Sequence, residues 1–103
     1  MGQDEKKLNM PVFPKLTDKQ LDCLRFVFEF YTKHLYYPSR QEIGDALHSS
    51  APAANYHVEA LVKKGYLLRV DGESRNMRIN PDSEPILRRL GIIKSEGGEE
   101  EKI

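Results

Sequence analysis

Apolar residues recur at two different periods along this chain, and the change from one to the other outlines its architecture. From Thr17 onward they fall three and four residues apart. Leu21, Leu24, Val27, Phe28, Tyr31 and Leu35 therefore share one helical face, which Phe26 and Phe30 widen. Thr17 and Gln20 have capping-box spacing and mark where this helix starts, while Pro38 disfavours helical geometry at Tyr37 and puts its end near His34. Ser39 and Glu42 form a second capping box. Ile43, Ala46 and Leu47 then give the apolar face of a short helix that stops around His48. A third helix is expected over residues 51–64, with Ser50 as N-cap, Pro52 in a first turn where a missing N–H costs nothing, and Gly65 as the stop. Ala54, Val58, Leu61 and Val62 form its inner face, and Ala53, Asn55, Tyr56, Glu59 and Lys63 lie opposite.

After Gly65 the period becomes two. Tyr66, Leu68 and Val70 stand on one side of Leu67 and Arg69, and Met77 and Ile79 on one side of Arg78, which predicts two strands. The Asp71-Gly72 start of the connecting stretch is a hairpin signal, and Pro81 ends the second strand. The expected fold is mainly α with a β-hairpin, an α+β class arranged as a three-helix winged helix-turn-helix. Residues 1–14 read as a flexible N-terminal arm, 15–81 as the domain, and 82–103 as a tail with a short helix over 85–93 and a disordered acidic end.

Charge narrows the function. The 103 residues carry 16 basic and 16 acidic side chains, a balance that argues against indiscriminate binding to phosphate. The folded part is nonetheless mildly positive and the tail mildly negative, which leaves room for a site-specific DNA binder whose cations share one face. No apolar run approaches the roughly 18 residues of a membrane span, and no signal peptide opens the chain, so a cytoplasmic protein is expected. Met-Gly at the start lacks the Ser or Thr of a myristoylation signal, since Lys6 stands there. The lone Cys23 reads as a small core residue, and His34, His48 and His57 form no ligand cluster, so neither a metal nor another cofactor is expected. Nothing resembles paired catalytic carboxylates, a phosphate loop or a nucleophile with its base, which points away from an enzyme.

Two helices joined by a turn of three or four residues form a helix-turn-helix, here 39–47 and 51–64, whose second helix would enter the major groove. Asn55 can pair with adenine or merely be solvated, and Tyr56 can meet a thymine methyl or a phosphate, or fold back on the core. Ser50 can cap its own helix or bind the DNA backbone. Arg75 at the hairpin loop, with Arg69 and Arg78 on its strands, makes the hairpin positive, either for DNA or as protection of an edge.

Leu16-Thr17-x-x-Gln20, Pro38-Ser39-Arg40-x-Glu42-Ile43, Leu61-x-Lys63-Lys64-Gly65 and Gly72-x-Ser74-Arg75 follow one another in a pattern that resembles the DNA-binding domain of the LexA repressor family. The resemblance implies a winged domain that reads double-stranded DNA as a bacterial or phage transcription regulator, most simply a repressor. By position it implies base-facing Ser50, Pro52, Ala53, Asn55 and Tyr56, and Arg40, Lys63, Arg75 and Arg78 complete the expected DNA-binding set. The family usually has Asn at Pro52 and acids at Asn55 and Tyr56, and the turn before Ser50 is one residue shorter here, so the usual operator is not expected. The family's self-cleaving domain is not expected either, because the chain lacks an Ala-Gly site and the length for it. A homodimer through the apolar tail residues of 86–93 is one expectation, and a tail that caps its own core is the other. A protein-binding winged helix, acting as an adaptor or as an antagonist of another regulator, is the rival function.

Overall fold

A computed structural model of the protein describes residues 13–72 and 75–94. Most of the expected arm, residues 73 and 74 of the hairpin loop, and the acidic end from residue 95 lie outside the described residues. The described chain runs α1 (Asp18–His34), α2 (Arg40–Leu47), α3 (Ala51–Lys63), β1 (Leu67–Arg69), β2 (Met77–Ile79), a 3₁₀ turn (Pro81–Ser83) and α4 (Glu84–Arg89). This is the mainly α winged helix-turn-helix with a β-hairpin that the periodicities predict. None of the described helices is long and apolar enough to cross a membrane.

Local chemistry sets the helix starts. Thr17 and Ser39 each accept a hydrogen bond from the backbone N–H three residues on, and the Oε1 atoms of Gln20 and Glu42 accept one in turn from the cap's own N–H. Both capping boxes form as the sequence implies. At the far end of α3 the N–H groups of Gly65 and Tyr66 donate to the carbonyls of Val62 and Leu61. This Schellman arrangement needs the left-handed backbone that Gly65 takes at φ 92°.

The core gathers Cys23, Leu24 and Val27 from α1, Ile43 from α2, and Ala54, Val58 and Leu61 from α3, closed by Tyr66, Leu67, Met77, Leu87 and Ile92. Two polar ties fix α3 within it. Lys64 Nζ donates to Gln20 Oε1 at 2.6 Å and to the Lys15 carbonyl at 2.7 Å, while Asn80 Nδ2 donates to the Gly65 carbonyl at 2.8 Å.

Several expectations change. Leu35 is the C-cap of α1 at φ 67° and is 75% exposed, so it leaves the apolar stripe. Ala46 faces solvent, and α2 is held by Ile43 and the half-buried Leu47. The phase of β1 is inverted: Leu67 is buried and Leu68 is 42% exposed, because Leu67 pairs with Ile79 on the core side and Leu68 with Arg78 outside. Tyr66 is buried for a different reason, since it lies in the helix-ending turn with its ring against Phe13 and its hydroxyl donating to the Pro14 carbonyl. Phe13 and Pro14 thus pack on the domain rather than trailing from it. The tail helix is shorter than 85–93, ending at Arg89 in a second Schellman turn where Gly91 and Ile92 donate to the Arg88 and Leu87 carbonyls.

Candidate nucleic-acid interface

The turn from α2 to α3 occupies His48 to Ser50 and crosses α2 at Gly44, where Ser49 donates to the Gly44 carbonyl at 2.8 Å. A side chain at residue 44 would be crowded: a Cβ there would lie 2.7 Å from the Ser49 carbonyl oxygen. The turn seats α3 against α1 and α2, β1 meets it as well, and its remaining face is exposed.

On that face Pro52, Asn55, Tyr56 and Lys63 are exposed, Tyr56 at 69%, and the Tyr56 ring does not fold back on the core. Ala53 is half-buried, lining a hollow with Lys19, Asp22, His48 and His57. Ser50 is exposed, and its Oγ accepts from the Ala53 N–H at 3.2 Å, so it serves as the cap of its own helix. Two arginines from different elements, Arg40 of α2 and Arg69 of β1, meet Asn55 or Glu59 one turn on. Arg40 Nε donates to Asn55 Oδ1 at 2.9 Å, Arg40 Nη2 stands 3.9 Å from Glu59 Oε2, and Arg69 Nη2 donates to Glu59 Oε1. Burial lowers the pKa of Arg40 from its ordinary value, and the nearby Glu59 carboxylate works the other way.

Arg75 belongs to a separate group. Its Nη1 donates to the Tyr37 carbonyl at 3.0 Å and to Glu42 Oε1 at 2.6 Å, its Nη2 reaches Glu42 Oε2 at 3.3 Å, and its guanidinium lies 4.8 Å from the centre of the Tyr36 ring. The hairpin is thereby fastened to the N-terminus of α2. The carboxyl of Glu42 falls from an ordinary 4.5 to about 2, chiefly because Arg75 hydrogen-bonds it and next because the Ser39 N–H does. Arg78 is exposed on the outer side of β2 and shares with Arg75 a cleft lined also by Tyr31, Leu35, Tyr36 and Tyr37.

The structure therefore brings Arg40 and Asn55 together, keeps Ser50, Pro52, Ala53, Tyr56 and Lys63 along α3, and puts Arg75 and Arg78 on the hairpin side. Sequence reasoning did not single out Glu59, although its spacing of four from Asn55 already put both on one helix face. It had no signal for the Arg75–Glu42 pair, which joins positions 33 residues apart. Burial raises the Cys23 thiol to about 12, with Arg40 opposing, which suits a core residue. Among the described residues no group of three or more His, Cys, Asp or Glu side chains could hold a metal ion.

Residues 13–76 match the LexA DNA binding domain. The chain is 36% identical over 80 residues to the LexA repressor of Thermotoga neapolitana, 78% of this chain and 41% of that protein. It is 39% identical over 80 residues to the LexA repressor of Leuconostoc mesenteroides, 77% of this chain and 37% of that one. It is 46% identical over 61 residues to the LexA repressor of Anaeromyxobacter dehalogenans, 58% of this chain and 27% of its relative. The chain thus spans well under half the length of these relatives. By the extent of the match and by its winged helix-turn-helix, the chain belongs to the LexA DNA-binding domain family.

Proposed function

We propose that this chain is a site-specific double-stranded DNA-binding repressor of the cytoplasm, with α3 in the major groove and the hairpin as its wing. The observation that carries the reading is the division of α3. Ala54, Val58 and Leu61 anchor it in the core, and its other face offers Pro52, Ala53, Asn55 and Tyr56 with a cap at Ser50. Arg40 and Lys63 supply charge beside that face, and Arg78 supplies it on the wing. Arg75 acts first by holding the wing against α2, and three of its five N–H donors are already used there, leaving the rest for phosphate. Repression by occupying a promoter is part of this reading, and the relatives are named repressors. Two copies on two half-sites would raise specificity. Tail contacts between copies would use Leu90, which is 37% exposed, with the half-buried Ile86 and Ile93, because Leu87 and Ile92 are spent in the core.

The test is selection of bound duplexes from a random pool, followed by salt titration of the winning sequence. Binding that weakens steeply as salt rises, with a preferred sequence, supports the reading. Asn55→Ala then relaxes base preference, and Arg75→Ala weakens all duplexes alike. No duplex binding at low salt would refute it and favour a protein partner for the exposed Tyr56.

A further inference from the structure

α3 contains a single acidic residue, Glu59, on the side proposed to face DNA. A carboxylate there repels phosphate, so its presence calls for a compensating role. Its two oxygens are divided between two cations from different elements: Arg40 opens α2 and Arg69 ends β1. Arg40 in turn holds Asn55 Oδ1 through Nε. Arginine is only a donor, so the Asn55 atom that faces it is the carbonyl oxygen, which leaves the Nδ2 donors for another partner. The Arg40 side chain is 19% exposed, Glu59 36% and Arg69 40%, so the chain of contacts surfaces without being loose in solvent.

We propose that Glu59 is a positioning residue for sequence discrimination: it sets the Arg40 and Arg69 guanidinium groups, and through Arg40 the Asn55 amide, as one preformed reading unit. The inference rests on the DNA-binding reading above. A guanidinium already held in place loses less side-chain freedom when it meets a base or phosphate, and a fixed fork discriminates better than a mobile one. With Oδ1 engaged, Asn55 brings donors to the groove. That suits the acceptor edges of guanine or thymine in place of the paired contact to adenine. The unit carries two cations and one anion, so it still attracts phosphate after Glu59 is counted.

The prediction differs in sign from that of a merely solvated acid. Removing a solvated carboxylate from a DNA-facing helix strengthens binding to every duplex by one factor. Removing a positioning carboxylate strengthens binding to random duplex but weakens binding to the selected one. Wild type, Glu59→Gln and Glu59→Ala are compared by fluorescence anisotropy on the selected duplex and on a scrambled one of equal length. The expected result is a fall of about tenfold or more in the ratio of the two affinities. An unchanged ratio, whether both affinities rise or both fall, would overturn the proposal. Urea midpoints confirm that the variants fold. In the free protein, the guanidinium Nη–H resonances of Arg40 and Arg69, whose Nη2 groups face Glu59, should shift toward random-coil positions in Glu59→Gln, and resonances that stay in place would equally refute the role. If wild type makes no distinction between selected and scrambled duplexes, the underlying DNA reading fails, separately from the role of Glu59.

Discussion

Replacing Gly44 by Ala tests how tightly the helix-turn-helix is closed, because two effects of known sign oppose one another there. Gly44 lies inside α2, where alanine ordinarily gains about 1 kcal/mol over glycine. The added Cβ would stand 2.7 Å from the Ser49 carbonyl oxygen and 3.0 Å from that of Ser50, and both atoms are backbone. Restoring ordinary contact at 3.4 Å requires a retreat of about 0.7 Å by the turn. The same peptides are not free to retreat. Ser49 donates to the Gly44 carbonyl at 2.8 Å, and the Ser50 carbonyl accepts the bond from Ala54 that starts α3. Overpacking of this kind costs about 1–3 kcal/mol, and the strained bonds put this case toward the upper end. After the propensity gain, Gly44→Ala should lose about 1–2 kcal/mol, lowering the urea midpoint by roughly 1 M. Ala46→Gly, at an exposed position of the same helix, calibrates the propensity effect alone. A Gly44→Ala protein as stable as wild type, or more so, would refute the closeness of the turn and with it the placement of the start of α3.

Other outcomes follow from the packing and the ion pairs. Leu87 is fully buried, so Leu87→Ala should cost about 2–4 kcal/mol by urea titration, whereas Leu90→Ala at the exposed side of the same tail should cost under about 1 kcal/mol. Equal effects would mean that the tail does not cap the core. The carboxyl of Glu42 sits at about 2 when folded against an ordinary 4.5, so its pairing with Arg75 stabilises fully above the higher value and is lost as pH falls toward the lower one. Glu42→Gln keeps the capping bond but not the charge. Its stability deficit should be constant above pH 5 and shrink between about pH 4.5 and 2, and parallel wild-type and variant curves would contradict the pairing. Cys23, with its thiol raised to about 12, should ignore Ellman's reagent at pH 8 in the folded protein and react on unfolding in urea; rapid reaction without denaturant would place it outside the core.

What was legible in the sequence was what is decided within a few residues. Thr17 with Gln20 and Ser39 with Glu42 satisfy helix ends with neighbours three positions away, so α1 and α2 begin where the pattern says. Ala54, Val58 and Leu61 are legible for the same reason, because helical spacing puts them on one face before any packing occurs. The phase of β1 was not legible. A short apolar run, Tyr66-Leu67-Leu68, supports either alternation, and the choice is made by the turn at Gly65 and by pairing with β2. The Leu35 position failed similarly, since leaving the helix with a positive φ turns its side chain out of the stripe.

The candidate site was half legible, and the missing half concerns charge. Composition gives equal numbers of acids and bases, which taken alone weakens the case for DNA. Tertiary structure changes the meaning of that balance, because Arg75 is joined to Glu42 and both Arg40 and Arg69 approach Glu59. These two acids, Glu42 and Glu59, thus lie against cations expected near DNA. On the DNA-binding reading, an arrangement of this kind gives up some general attraction to any duplex and gains fixed geometry on the one that fits. Neutral charge then argues against an indiscriminate binder much more than against a selective one. The sequence could suggest that distinction from the clustering of basic residues, but only the contacts between α2, α3 and β1 give it a physical form.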